Sequence, residues 1–235
     1  MKISRKQSPV IFVYLLGLIF LSACNTGSLS LADLKGWNEE KISAEELADW
    51  RLLGNGRVGL WMNQQVAIEE ADDSQGVMLL SPTYYTGDVV VRYQALALTA
   101  ASVFVTMLAA GDSASHQLTI PGGYDGGMSL WTNAATNYFF AFKNAPHGAT
   151  PFIARNPGFS VLGSAKKQDG MGAGIYYDIE VGNEKGRLWL SVDGRRLVDV
   201  EDTNPLAGGH LALRLRGSAG IKASGLIRNL TIYSK

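Results

Sequence analysis

Aromatic, amide and guanidinium side chains are concentrated between Tyr124 and Phe159. Aromatic rings stack on the CH-rich faces of sugar rings, while amide and guanidinium groups bind hydroxyls and carboxylates. The segment therefore favours a saccharide-binding cleft, although the same aromatics would also suit a hydrophobic core with polar groups on its loops. The residues that we predict to bind a saccharide are Tyr124, Trp131, Asn133, Lys143, Asn144, Arg155 and Asn156.

The same segment also carries groups that could degrade a glycan rather than only bind it. A lyase acting on uronate-containing sugars needs cations or amides to neutralise the carboxylate and a base to remove the neighbouring proton. Arg155, Asn156 and Lys143 would neutralise the carboxylate. Tyr138 or His147 would act as the catalytic base. A polysaccharide lyase or glycoside hydrolase is therefore the alternative to a binding protein, and the sequence leaves the choice open.

Two carboxylates, Asp178 and Glu180, lie two positions apart on a predicted strand. Side chains at that spacing share a face and lie about 7 Å apart along it. Jelly-roll glucanases carry Glu-x-Asp-x-Glu on one strand, but here Tyr176 occupies the first position of that pattern. Because the nucleophile is missing, we interpret the pair as part of a solvated outer face.

Several other classes of chemistry have no support in the sequence. The formal net charge is zero and no basic stripe is present, which argues against nucleic acid as a partner. No phosphate-binding Gly-x-x-x-x-Gly-Lys-Ser/Thr loop occurs, and the three histidines lack zinc-type spacing. We therefore predict no cofactor and no metal at the site. The acidic pair Asp72-Asp73 leaves a structural calcium ion open, since calcium is common in such sandwiches.

The N-terminus has the pattern of a lipoprotein signal peptide. Lys2, Arg5 and Lys6 give a positive start, and Val10 to Phe20 is an apolar run too short to span a membrane. Leu21-Ser22-Ala23-Cys24 then forms a lipobox around the chain's one cysteine. We expect cleavage before this cysteine and its acylation.

These features predict the domain organisation and the location of the protein. We predict a signal peptide over residues 1–23, a lipid-attached tether over 24–35, and one domain over 36–235. Asn25 follows the lipobox in place of an inner-membrane aspartate, which favours the outer membrane of a bacterial cell envelope. Contact with the membrane is predicted through the lipid only.

Short alternating runs predict an all-β fold. Val89, Val91, Tyr93 and Ala95 share one strand face, and the Asp193-Gly194 pair predicts a tight hairpin. Ser43 and Glu46 form a capping box, which predicts one short N-terminal helix. The many short strands indicate a two-sheet antiparallel sandwich.

Several segments resemble the YesU-like family of bacterial proteins, which has a concanavalin A-like lectin/glucanase jelly roll. The resemblance covers most of the chain beyond the signal peptide. The segments are Asp49-Trp50-Arg51 with Gly54-x-Gly56, Tyr124-Asp125-Gly126-Gly127, Asn137-Tyr138-Phe139-Phe140, Arg155-Asn156-Pro157-Gly158-Phe159 and Leu190-Ser191-Val192-Asp193-Gly194.

The resemblance implies a jelly roll that binds poly- or oligosaccharide on its concave face during glycan utilisation. The resemblance makes Arg155 and Asn156 the foremost candidates for binding the carboxylate or the hydroxyls of a sugar acid. Asp125 and Ser160 stand where the family pattern has histidines. If those histidines act in catalysis, this chain binds without catalysing unless His147 substitutes for them.

Overall fold

The computed structural model describes residues 31–62, 64–112, 118–144, 150–166 and 170–235, and only the backbone of Asn144. The elements in chain order are β1 Asn38–Ile42, α1 Ala44–Ala48, β2 Arg51–Gly54, β3 Gly56–Trp61, β4 Gln65–Glu70, β5 Val77–Tyr85, β6 Val89–Ala97, β7 Val103–Asp112, α2 Ser129–Asn133, β8 Ala135–Asn144, β9 Phe152–Asn156, β10 Ser160–Ser164, β11 Tyr176–Glu184, β12 Arg187–Val192, β13 Arg195–Glu201, β14 Gly209–Arg216 and β15 Ser224–Ser234.

The strands form two antiparallel sheets that pack face to face. In the described part of the chain, sheet A has the order β13-β12-β11-β6-β15-β4-β3, with β1 also paired to β15. Sheet B has the order β10-β9-β8-β7-β14-β5-β2. This architecture confirms the predicted all-β jelly-roll sandwich.

Local sequence signals explain how several elements begin and turn. The Ser43 side chain accepts a hydrogen bond from the Glu46 backbone amide at the start of α1, and the Glu46 carboxylate accepts one from the Ser43 amide, so the predicted capping box is present. Asp193 and Gly194 both have positive φ, of 50° and 74°, in the hairpin between β12 and β13. A second short helix, α2, was not predicted, because five residues carry too little helical periodicity to be recognised.

The main hydrophobic core lies between the two sheets. From β8 it receives three fully buried aromatic residues, Tyr138, Phe140 and Phe142. The ring of Phe142 stacks on Phe104 with 5.7 Å between ring centroids and meets the edge of Tyr93 at 6.0 Å. The predicted alternation of β6 is confirmed, since Val89, Val91, Tyr93 and Ala95 belong to this core.

A second hydrophobic cluster covers the opposite, outer face of sheet B. Phe139 and Ala141 of β8 reach this face, and Trp131 of α2 packs onto it with no exposed surface. The segment from Leu118 to α2 therefore lies over the sheet. As a result β8 is buried on both of its faces.

We predict that Phe140→Ala lowers the free energy of unfolding by about 3–5 kcal/mol, because it leaves a cavity between the sheets. Val161→Ala, at a residue that is 51% exposed, is the matched control and should change it by less than about 0.5 kcal/mol. Urea unfolding of both variants followed by circular dichroism measures the difference. Equal midpoints for the two variants would contradict this placement of the core.

Candidate functional site

The predicted catalytic base Tyr138 is an interior residue. Its ring lies in the core between the sheets, and its hydroxyl donates to Asp202 Oδ2 at 2.7 Å and accepts from the Leu206 amide at 2.9 Å. Burial raises the pKa of this hydroxyl well above its ordinary value. These contacts give Tyr138 a structural role in fixing the loop after β13.

Three of the predicted binding residues hold the segment that covers sheet B. Trp131 Nε1 donates to the Tyr124 hydroxyl at 2.7 Å, and that hydroxyl donates to the Gly127 carbonyl at 2.8 Å. The fully buried Asn156 donates from Nδ2 to Asn137 Oδ1 at 2.9 Å. These polar groups are occupied within the protein.

The remaining predicted residues lie apart from one another. Lys143 is buried and donates from Nζ to the carbonyls of Ala100 and Ser102, both at 2.9 Å, and burial lowers its pKa. Arg155 pairs with Asp202 at 3.0 Å, while Asn133 is exposed at the end of α2. The predicted residues that the structure does describe therefore do not converge on one cleft.

Three predicted residues cannot be placed. The lipidation site Cys24 and the candidate base His147 lie outside the described residues, as does the side chain of Asn144. Their roles remain predictions.

A different surface has the character of a binding site: the face of sheet A that points away from the core, here called the open face. It carries a depression of about 670 Å³. Strand alternation places there the side chains that do not enter the core. They include Arg92 and Gln94 of β6, Tyr176, Asp178 and Glu180 of β11, Trp189 of β12, Arg196 and Asp199 of β13, and Arg228 of β15.

Glu180 is the centre of one half of the open face. Only 1% of its side chain is exposed, so its interpretation as a solvated residue is wrong. Its carboxylate accepts a hydrogen bond from Trp189 Nε1 at 2.8 Å and pairs with Arg92 at 2.8 Å and with Arg196 at 3.5 Å. Removing a carboxylate from water is costly unless it is paired and hydrogen-bonded, and these partners offset that cost.

The backbone around Glu180 is shaped to receive the indole of Trp189. Gly182 stands directly opposite Trp189 in the register of β11 and β12, and a Cβ at position 182 would clash with the ring. The Arg196 guanidinium lies over the same ring, 4.9 Å from its centroid. Arg196 and Arg187 also pair with Asp199, and the hydrogen bond from Arg187 is the main reason that the pKa of Asp199 is lowered.

The chain itself occupies part of this half. The Ala32 amide donates to Glu180 Oε1 at 3.3 Å, and Arg92 Nη2 donates to the Ala32 carbonyl at 2.9 Å. Leu31 lines the depression. We call residues 31 and 32 the strap. They belong to the predicted tether, so the described end of that tether is bound to sheet A.

The other half of the open face contains Gln94, Asp178 and Asn229, which line the same depression as Leu31. There Arg228 Nε donates to Gln94 Oε1 at 2.6 Å, and Gln94 Nε2 donates to Asp178 Oδ1 at 2.7 Å. This chain of bonds fixes the orientation of the amide and of the exposed Asp178 carboxylate. Exposed Asn229 donates to the same Gln94 oxygen at 3.0 Å.

Two aromatic side chains lie near these polar groups. The Arg228 guanidinium lies 3.8 Å from the ring centroid of Tyr176, and the Tyr176 hydroxyl is hydrogen-bonded to Gln65. Trp61 stands opposite Gln65 in the register of β3 and β4 and is 55% exposed. Exposed Trp61 therefore lies opposite one end of a series of contacts. The series runs from Gln65 through Tyr176 and Arg228 to the Gln94 amide and the Asp178 carboxylate. We call Trp61, Tyr176, Gln94, Asp178, Arg228 and Asn229 the polar row.

Sequence reasoning missed this site, although one signal for it was present. In β12 the alternation already sets Arg187, Trp189 and Ser191 apart from the leucines that face the core. The spacing of Asp178 and Glu180 pointed to the same sheet face. To combine these two signals, one would have to know that β11 pairs with β12, and the sequence does not specify that pairing.

Neither a metal site nor a membrane-spanning helix is found in the described ranges. No three His, Cys, Asp or Glu side chains there come close enough to hold a metal ion. No helix within those ranges has the length and apolar character needed to cross a membrane.

Comparison with known proteins gives the fold class. No model of a protein family matches the chain, and no curated protein matches it. A Bacillus subtilis protein of unknown function with a galectin-like fold superposes with a TM-score of 0.69 at 13% identity, over 84% of this chain and 98% of that one. The chain therefore has a galectin-like, concanavalin A-like jelly-roll fold.

Proteins with stated activities share this fold. The carbohydrate-binding module CBM66 from Bacillus subtilis has a TM-score of 0.53 at 13% identity, over 87% of this chain and 99% of that one. The β-glucanase of Bacillus licheniformis has a TM-score of 0.54 at 11% identity, over 88% of this chain and 95% of that one. At these identities the likeness defines the architecture alone.

We predict that Glu180→Gln lowers the free energy of unfolding by about 3 kcal/mol, because it leaves Arg92 without a carboxylate and Arg196 paired only with Asp199. Asp178→Asn is the matched control, since that carboxylate is exposed, and should change it by less than about 0.5 kcal/mol. Urea unfolding at neutral pH measures both effects. Equal losses for the two variants would contradict the central position of Glu180.

Proposed function

We propose that the protein binds a poly- or oligosaccharide on the open face of sheet A, through the polar row. The single observation that carries this proposal is the position of exposed Trp61 opposite Gln65, whose side chain is hydrogen-bonded to Tyr176. A tryptophan side chain that is 55% exposed offers a surface on which a sugar ring stacks. The oriented groups of Gln94 and Asp178 then bind sugar hydroxyls, because their amide and carboxylate atoms are already held in place.

The pre-set geometry of the row supports binding of this kind. Arg228 fixes Gln94, and Gln94 fixes Asp178, so little side-chain entropy is lost when a ligand arrives. The carbohydrate-binding module and the β-glucanase that share the fold make a saccharide the natural ligand class to test first.

Binding is favoured over hydrolysis by the surroundings of Glu180. A retaining hydrolase needs a nucleophile and an acid that carries a proton to the leaving group. Tyr176 stands at the nucleophile position of the glucanase pattern and lies beneath Arg228. The Glu180 carboxylate is engaged by Arg92, Trp189 and Ala32, which leaves it as an acceptor inside the fold.

We also propose that the protein is a lipid-anchored component of the bacterial cell envelope. The support is the lipobox Leu21-Ser22-Ala23-Cys24, with Asn25 favouring the outer membrane. Membership of the YesU-like family is part of the same proposal and rests on the quoted motifs and on the jelly-roll fold. An anchored saccharide-binding protein would hold glycan at the cell surface for enzymes that degrade it.

We predict that Trp61→Ala weakens binding to a retained polysaccharide about tenfold, because a stacking contact of about 1.4 kcal/mol corresponds to that factor. Asp178→Ala should weaken it to a similar degree. Phe159→Ala is the matched control, since that ring is also exposed, at 42%, but lies on sheet B. Affinity gel electrophoresis across pectic, algal and host glycans gives the comparison.

Two results would count against the proposal. If no glycan on the panel retards the wild-type protein, the polar row does not bind saccharides of those classes. If the protein instead releases reducing ends or 4,5-unsaturated products from a glycan, the enzymatic alternative replaces simple binding.

A further inference from the structure

The outer face of sheet B contains a cavity of about 410 Å³ that the saccharide proposal does not use. Three phenylalanine rings line it: Phe139 from β8, Phe152 from β9 and Phe159 from the turn that follows β9. Phe139 and Phe152 stack with 5.8 Å between centroids, and Phe159 meets their edges at 5.9 and 5.8 Å. The aromatic walls make this cavity suited to an apolar body.

The turn that carries Phe159 is fixed by buried hydrogen bonds of Asn156. Asn156 is fully buried, and its Oδ1 accepts a hydrogen bond from the Phe159 amide at 3.1 Å. Its amide nitrogen is bound to Asn137, which in turn donates to the Trp131 carbonyl at 2.9 Å. A ring that is 42% exposed is thereby kept at the mouth of the cavity.

The same cavity is lined by two cations. Arg214 is 2% exposed, and its Nη2 donates to the carbonyls of Gln75 and Gly126 at 2.8 and 3.0 Å. Its Nε is buried and has no hydrogen-bond partner among the described residues. Arg216, two positions along β14, is exposed and lines the same cavity.

These cations have no anionic counterpart in the cavity. Its described lining includes Arg214 and Arg216 but no aspartate or glutamate. The nearby Glu70 carboxylate offsets part of the cost of burying Arg214, but desolvation has the larger effect and lowers the pKa of Arg214 to about 10. The proximity of Arg216 acts in the same direction. An anion that entered the cavity would relieve this cost.

We propose that this cavity binds a small organic anion whose carboxylate pairs with Arg214 and Arg216 while its apolar body packs against the three phenylalanines. Guanidinium groups match the planar geometry of a carboxylate, and charge-assisted hydrogen bonds from exposed Arg216 would hold the carboxylate beside Arg214. The volume falls within the range of about 300–1,000 Å³ that small-molecule sites occupy. Arylalkenoates such as cinnamate have the required size and charge.

The test is isothermal titration calorimetry of the purified protein with cinnamate, cinnamyl alcohol and inorganic phosphate. We expect cinnamate to bind and each of the other two to bind at least about tenfold more weakly, because one lacks the charge and the other lacks the apolar body. Phe159→Ala and Arg216→Gln should each weaken cinnamate binding about tenfold. Trp61→Ala should leave it unchanged, which separates this site from the polar row.

A second measurement locates the anion without altering Arg214, whose loss would also release Gln75 and Gly126. In a ¹⁵N–¹H spectrum of the arginine Nε–H groups, cinnamate should shift the Arg214 resonance, and phosphate should not. Absence of cinnamate binding, equal binding of cinnamyl alcohol, or an unmoved Arg214 resonance would each overturn the proposal.

Discussion

The burial of the Glu180 carboxylate constrains much of the surface around it. A carboxylate that is 1% exposed must have all of its bonding supplied by the protein, and here the donors come from β6, β12 and β13 and from the strap. The need to bring Trp189 close explains why position 182 is a glycine. The need for guanidinium partners explains the arginines on the neighbouring strands. This half of the open face is therefore occupied by contacts within the protein.

The two outer faces of the sandwich differ because only one is covered by the segment containing α2. That segment brings Trp131 onto sheet B and forms a second hydrophobic cluster, so the apolar residues of β8 are buried on both sides. Beside the segment containing α2, Phe139, Phe152 and Phe159 line a cavity together with Arg214. Sheet A has no comparable cluster on its outer side among the described residues, and its exposed rows are polar. One fold thus presents two surfaces of different chemistry.

The fold was predictable from local patterns, whereas the site was not. Period-two alternation identified β6, and the Asp193-Gly194 pair and the Ser43 capping box identified a turn and a helix start. Alternation cannot say which outer face of a sandwich is covered, since Tyr138 and Phe139 are equally apolar and face opposite ways. Arg155 and Asn156 were singled out for their hydrogen-bonding groups, but those groups bind Asp202 and Asn137. Long-range partners of that kind are set by strand pairing, which a single sequence leaves undetermined.

The strap gives the domain a particular response to mechanical force. The described chain begins at residue 31, makes its first two hydrogen bonds through Ala32 at Glu180 and Arg92, and reaches β1 only at Asn38. Tension applied from the N-terminal side therefore loads the middle of sheet A before it reaches the ladder between β1 and β15. If tension broke these two bonds, the Glu180 carboxylate would lose the Ala32 amide as a donor while the β1 ladder stayed closed. In a protein tethered by its N-terminus, force on the tether would therefore change how much water reaches Glu180 in sheet A.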